Sequence, residues 1–493
     1  PPPICIACMN CEVCKPASQF LSLKDYRELS IIKTKLSYDS ESQSWTAQYP
    51  FLKDPSVLND NYAAALKALE RRESKLLKDE KLKVLYDEQV NDFVERGVIS
   101  KMTDSELDCW NGPVRYVDHH EVFKEGSTTP LRIVINSSFR HGNELSFNDI
   151  LMKGPNVLTS LYEILLRWRL YPVAFVGDVS KMYHNVKTGE LEGNLRRLLW
   201  RNCDQSRAPD VYGFNVVTFG DRPAGCIAVS ALKSTADLFS SVSEKAAHVL
   251  KEDSYMDDVV SGSNSMSEAE SLSDDIQVIA SKGGFKFKTF QFSKPSIEGH
   301  EVVASEKVLG VGWKPIEDTV HVRVDLNHNK RTKGLRKHPV AIDDIPFTRR
   351  ICLRLVNGIF DPLGLFSPVV VRLKILMKQH FVESDKYKKW DELLSEEDRS
   401  EWIKILKDVM LLDGFDIPRH CVNAFYPTKD APGKYMLICF SDASGNAMCA
   451  SIYIRYETVC GVVSVGLLTS KTRVSPSKVL TMPRLELLSL IHI

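Results

Sequence analysis

The stretch SYMDDVVSG, residues 254–262, sets Asp257 and Asp258 side by side inside an otherwise strand-like apolar run. Adjacent carboxylates repel and resist burial, so a chain tolerates them there in two ways. A hairpin turn keeps them in water, or divalent cations neutralise them. Y-x-D-D arises by chance roughly once in fifteen chains of this composition, and alone it favours the solvated turn. The neighbouring segments must decide.

A third acid ends a strand pattern. LYEILLRWRLYPVAFVGDV reads as a helix, a break at Pro172 and a buried strand running into Asp178. A side chain at that strand end emerges into a cleft. Residues 223–252 are mainly helical, and another helix is expected at about 266–282. Strand, helix and hairpin in this order make the split βαβ arrangement, which puts the hairpin turn beside the first strand's end. Carboxylates from these elements can bracket two Mg²⁺ ions about 4 Å apart, a geometry for in-line phosphoryl displacement. Oxygen ligands alone suit such hard cations, without Cys or His.

The rest of the chain bounds this reading. Its 493 residues suit roughly two to four domains. With 64 Lys+Arg against 64 Asp+Glu there is no global basic signal, although a groove needs only local charge. No apolar run reaches the roughly 18 residues of a membrane span; LGLFSPVVVRLKILM is broken by Pro368, Arg372 and Lys374. The scattered cysteines suit a reducing compartment. Cys5, Cys8, Cys11 and Cys14 in CIACMNCEVC are spaced like metal ligands. A closed zinc site usually needs a longer excursion between its pairs, so a metal-free segment is the better reading. The opening PPPICIACMN, without Met, and the apolar ending LELLSLIHI read as the cut ends of a polyprotein fragment.

Residues 61–96 read as helical, with Asn61 as cap and Gly97 as stop. Residues 314–347 turn polar and basic, and KRTKGLRKH there is either a phosphate-contact strip or an ordinary solvated face. Ser395 can cap a helix through SEED. The Pro/Gly-rich YPTKDAPGKY is the best domain boundary, followed by three strands and a helix opening at PRLELLSL. No D-[ST]-G, G-x-S-x-G or Walker loop is present, so peptidase, hydrolase and nucleotide-switch readings have no support.

In order along the chain, these motifs resemble the reverse transcriptase region of BEL/Pao-type LTR retrotransposons. DVSKMYHNV is similar to the first palm motif, SYMDDVVSG to the Y-x-D-D hairpin, and SFNDILMKGPNVLTSLYEILLRWR to the segment before the palm. KVLGVGW resembles the primer-grip hairpin, FDPLGLFSPVVVRLKILMKQ the connection region, and SDAS, SKTRVSP and PRLEL the start of the RNase H domain. The resemblance implies an α+β fold: a right-hand polymerase with fingers, split βαβ palm and thumb, then a connection region and a truncated RNase H-like α/β domain. It implies an upstream Cys-rich segment and linker at 1–44, fingers and palm with the primer-grip hairpin at 45–313, thumb/connection at 314–425, and the RNase H-like part at 426–493.

The same resemblance implies an RNA-directed DNA polymerase that adds dNTPs to a primer by two-metal phosphoryl transfer. Asp178, Asp257 and Asp258 would be its catalytic carboxylates and metal ligands, holding two Mg²⁺ with Mn²⁺ able to substitute. Tyr183 matches the aromatic that excludes a ribose 2′-OH; a core aromatic is the competing reading. Arg132 in LRIVIN matches the fingers arginine on the triphosphate, a task suited to a planar cationic fork. Lys288 in GGFKFK matches the lysine near the leaving pyrophosphate, with Lys286 close enough to be confused with it. Phe219 and Gly220 fall in the template- and dNTP-contacting turn, and Leu309, Gly310 and Trp313 in the primer grip. Implied partners are an RNA or DNA template–primer and the rest of the polyprotein, in a cytoplasmic virus-like particle and without a membrane.

Two departures touch the fingers: Gly225 replaces a common Pro, and Asp118 precedes His119 and His120, which read as fingers packing. Asp442 and Glu486 match the first two RNase H carboxylates, with further acids expected beyond Ile493. Two carboxylates cannot hold two hydrolytic metals, so RNase H activity is not expected of this chain. The alternative function is a catalytically inactive or host-captured fragment that binds nucleic acid or protein. An RNA-directed RNA polymerase would share the palm, but Tyr183 and the RNase H pattern argue against it.

Overall fold

The leucine periodicity of residues 61–96 folds as two helices, Tyr62–Leu76 and Glu80–Glu95. Asn61 stands at the cap position but makes no capping bond; its amide instead bonds both ways with the Tyr116 backbone, at 2.7 and 2.9 Å. Asp79 caps the second helix by accepting from the Leu82 amide, and Gly97 follows it in the left-handed region at φ 67°. The structure is a computed structural model that describes all residues except 1–20, 124–129, 294–305, 323, 325–340, 384–385, 423–432, 479 and 492–493. The four N-terminal cysteines, KRTKGLRKH and most of the YPTKDAPGKY loop lie outside the described residues.

The chain divides into two units. One comprises Pro1–Thr159, Asp178–Val259 and Leu272–Lys288; the other comprises Ser160–Gly177, Val260–Ser271 and Thr289–Ile493. In the first, the two helices bury Leu69, Leu76, Leu82, Tyr86 and Phe93. They pack with the hairpin Asp118–Phe123/Leu131–Asn136 and the sheet of Ile99–Lys101, Asp210–Phe214 and Leu198–Trp200. His119 is inside this core. Its Nε2 faces the Leu199 carbonyl at 3.3 Å, which only accepts, so Nδ1 takes the Tyr86 hydroxyl proton and the ring is neutral. The His-His pair is thus packing at His119, as expected. The helical reading of 223–252 resolves into Ala224–Leu238 and Glu244–Glu252, the second started by Ser243 accepting from the Ala246 amide.

Two buried ion pairs tie distant parts of this unit. Arg201 grips Glu73 at 2.8 Å, and Arg196 grips Asp221 at 2.8 Å with both side chains fully buried. A buried charge survives only when paired and hydrogen-bonded, and neither pair has a local sequence signature.

In the second unit, residues 173–177 lie between strands that include 260–263 and Gln291–Phe292. KVLGVGW forms a hairpin, Glu306–Val308 with Val311–Lys314, turned through Leu309 at φ 47° and Gly310 at φ 96°. Left-handed conformation at both turn positions is the two-residue hairpin solution that favours glycine. Ser395 caps Glu396–Met410 by accepting from the Asp398 amide. The C-terminal strands Lys434–Ala443, Ala447–Glu457 and Val463–Val474 form one antiparallel sheet. Helix Met482–Ile491 packs on it through Leu485 against Ala443 and Met448. That is the expected strand–strand–strand–helix order.

Candidate active site

Asp178 ends the strand Val173–Asp178, and Asp257 directly precedes the strand Asp258–Ser263. Tyr255 pairs with Asp258, so Met256 and Asp257 are the hairpin turn, with Met256 left-handed at φ 55°. Backbone bonds lace three segments together here. The Val179 amide donates to the Asp257 carbonyl at 2.7 Å, Ser180 to Lys286 at 2.7 Å, and Lys288 to Asp178 at 2.9 Å.

The side chains follow. Lys288 Nζ lies 3.0 Å from Asp178 Oδ1, with both groups well exposed; such a pair contributes little stability. Lys286 instead supplies only its carbonyl to this lacing. The Asp257 carboxyl is pushed above the usual carboxylate range, first by desolvation and then by the charge of Asp178; Lys288 and Arg132 pull it back. Asp178 and Asp257 are therefore close enough for their charges to interact, with Lys288 paired to Asp178 and the charge of Arg132 also acting on Asp257. Asp258 does not complete a set with them: among the described residues, no group of three or more His, Cys, Asp or Glu side chains is placed to hold a metal ion. The two facing carboxylates are hard oxygen donors whose mutual repulsion a divalent cation would relieve, so this pair fits such an ion.

Tyr183 lies in the turn Met182–Asn185, its ring centroid 4.3 Å from that of Phe219. Burial and then the Asp257 charge raise its hydroxyl above the ordinary tyrosine range. A Cβ on Gly225 would lie 3.7 Å from Tyr183 Oη and 3.5 Å from Met256 Cε. That is ordinary contact, so the absent proline removes bulk beside the tyrosine without a clash requiring it.

Phe219 is more than half exposed, at 53%. Gly220 after it has φ 109°, and a Cβ there would stand 2.2 Å from the Ile135 carbonyl oxygen, so only glycine fits. Asp221 anchors the turn: its carboxylate accepts from Arg196 at 2.8 Å, Tyr49 Oη at 2.5 Å, Thr218 Oγ1 at 3.0 Å and the Ser137 hydroxyl. Arg132 projects from the exposed face of Leu131–Asn136, opposite Val122. Sequence reasoning missed Asp221 and Arg196, because 25 residues separate them and nothing local pairs them.

The remaining expected residues lie in the second unit. Trp313 is fully buried, 5.4 Å from the Trp168 ring, and donates from Nε1 to Asp318 at 3.2 Å. Asp318 in turn holds Arg419 at 2.6 Å. Leu309 is also mostly buried. Asp442 and Glu486 are both exposed, each next to a residue of one small apolar cluster, Ala443 and Leu485.

Residues 348–493 match the family model described as a Pao retrotransposon-like RNaseH-like domain. The C-terminal part of the chain is thus of the Pao retrotransposon type, and the resemblance carried by SDAS, SKTRVSP and PRLEL is borne out. The matched span begins ahead of 426 and includes the helices Arg349–Gly358, Ser367–Lys378 and Glu396–Met410 as well as the three-stranded sheet. A comparison with curated proteins finds no match.

Solved structures similar to this chain include a foamy viral protease-reverse transcriptase dRH in complex with double-stranded DNA. It is 13% identical with TM-score 0.48, over 81% of this chain and 57% of that one. A foamy viral protease-reverse transcriptase in complex with RNA/DNA hybrid is 12% identical with TM-score 0.49, over 84% of this chain and 46% of that one. The chain spans about half the length of these structures. Among the described residues, no helix is long and apolar enough to cross a membrane.

Proposed function

We propose that this chain is the reverse transcriptase part of an LTR retrotransposon polyprotein, an RNA-directed DNA polymerase in which residues 45–313 supply fingers and palm with the primer-grip hairpin. One observation carries the reading: Asp178 and Asp257 meet at the end of a strand and the turn of a hairpin, with Lys288 paired to Asp178. Strand, helices and hairpin occur in the split βαβ order.

In this reading Asp178 and Asp257, with Asp258 as the third carboxylate the resemblance implies, would hold Mg²⁺, which would supply charge stabilisation for phosphoryl transfer. Arg132 binds the triphosphate. Lys288 leaves Asp178 to neutralise and protonate the departing pyrophosphate. Tyr183 closes the sugar side of the pocket against a 2′-OH, and Phe219 and Gly220 form its wall. Trp313 anchors the hairpin whose turn, at Leu309 and Gly310, would meet the primer. Template and primer are held mainly through phosphates.

The test is extension of a primed RNA template with dNTPs and Mg²⁺, wild type beside Asp257→Asn. Incorporation lost in the variant supports the assignment. Incorporation unaffected by the substitution means the ligands are misassigned, and none by wild type across salt and metal conditions favours a nucleic-acid or protein-binding module. Asp442 and Glu486 alone do not make a two-ion hydrolytic site, so residues 1–493 are expected to leave RNA–DNA hybrids uncut; robust cleavage would refute this.

A further inference from the structure

We infer that His184, held by Arg96, is a positioning residue that fixes the Tyr183–Phe219 ring pair and so sets nucleotide affinity and sugar discrimination. The inference rests on the polymerase reading above. Arg96 follows the helix Glu80–Glu95 as its C-cap, and its guanidinium is tied back to Asp92 at 2.6 and 2.9 Å. Its Nη1 lies 3.2 Å from His184 Nδ1. A guanidinium has only donors, so Nδ1 accepts and the imidazole proton sits on Nε2.

The turn that carries Tyr183 is therefore pinned to one helix end at two points. It is entered through Lys181, left-handed at φ 51°, whose ammonium is 3.8 Å from Asp92. His184 makes the second attachment. Burial, and then the cations Arg96 and Lys181, lower the His184 pKa to about 4, in keeping with a neutral acceptor.

His184 also has two ring neighbours. Phe93 meets it edge-on at 5.8 Å, and Phe219 at 6.1 Å with an interplanar angle of 74°. Since Tyr183 packs on Phe219 at 4.3 Å, consecutive residues grip one largely exposed phenyl ring from two directions. Without His184, Phe219 keeps one aromatic wall and Tyr183 loses its brace. Asp178 and Asp257 are anchored separately, by the Val179 and Lys288 amides. The expected signature is thus a loss in binding and discrimination rather than in turnover.

The experiment uses the whole chain with primed template, as wild type, His184→Ala, His184→Phe, His184→Asn, Arg96→Leu and the Ala/Leu double variant. Affinity for dTTP and UTP is read with Ca²⁺, and KM and kcat for both with Mg²⁺. His184→Ala should weaken dTTP binding and raise its KM about tenfold, keep kcat within about twofold, and lower the preference for dTTP over UTP about fivefold. Arg96→Leu should move in the same direction by less, and the double variant should be no worse than His184→Ala. Phe, which keeps the ring, and Asn, which puts an acceptor near the Nδ1 position, should each recover part.

Affinity, KM and discrimination within twofold of wild type in His184→Ala would overturn the inference, as would a loss confined to kcat. If His184→Ala does not fold, Arg96→Leu, at a half-buried position, decides by the same criteria. If wild type incorporates nothing yet the variants still lose dTTP affinity, the positioning role stands and the polymerase reading falls.

Discussion

The amide of Val179, the residue after Asp178, donates to the carbonyl of Asp257 at 2.7 Å. One backbone bond thus sets the separation of two acids that lie 79 residues apart in the chain (257 − 178). The Asp257 carboxyl is held above its usual range first by burial and then by the nearby charge of Asp178.

That strain predicts the effect of neutralising one acid. Asp257→Asn should lower nucleotide incorporation at least about 10²–10³-fold, the scale on which fixed transition-state electrostatics act. It should leave the thermal midpoint unchanged or raised, because it removes a desolvated, repelled charge from the native state. Primer extension and calorimetry on the same preparation check both; a lowered midpoint would contradict the repulsion.

The Arg196–Asp221 pair predicts the opposite balance. Asp221→Ala leaves a guanidinium fully buried with its principal partner gone and should cost about 3–5 kcal/mol, read as a shift in the denaturant midpoint. Replacing both residues with apolar side chains should cost much less than the sum of the single variants.

Gly220 predicts a local failure. Gly220→Ala would drive a Cβ into the Ile135 carbonyl at φ 109°, destabilising by about 1–3 kcal/mol. The shift should reach Phe219, so dNTP KM should rise in any variant that still folds.

His119 predicts a pH window. Burial lowers its pKa to about 4 in the folded protein, against about 6.5 unfolded. Between those values the unfolded chain binds more protons, so this contribution to stability is complete above pH 6.5 and is lost as the pH falls towards 4. The slope is at most about 1.4 kcal/mol per pH unit. Unfolding free energies from pH 7 to 4 should be flatter for His119→Gln than for wild type by that single proton.

Some of this was legible without coordinates. The strand into Asp178 shows itself as an apolar run ended by an acid, the hairpin as acids inside an apolar stretch, and the Ser395 helix start as a capping pattern. Those features are local, so hydrophobic periodicity and turn chemistry suffice. Lys288 over Lys286 rested on a resemblance, and the ion pair with Asp178 is what separates them. Asn61 shows the limit in reverse: its residue type says cap, but a buried Tyr116 backbone with unmet bonds outcompetes the helix end for it.

Sequence by itself determined the strand into Asp178, the hairpin carrying Asp257 and the broad helical stretches, though not where the helices 61–96 and 223–252 break. The tertiary structure alone decided the pairings that have no local signature, Arg196 with Asp221 and Arg96 with His184. Backbone preference is spent within a few residues. Pairing of side chains depends on distances through space, which burial, hydrogen-bond satisfaction and the cost of an isolated charge fix only once the whole chain has packed.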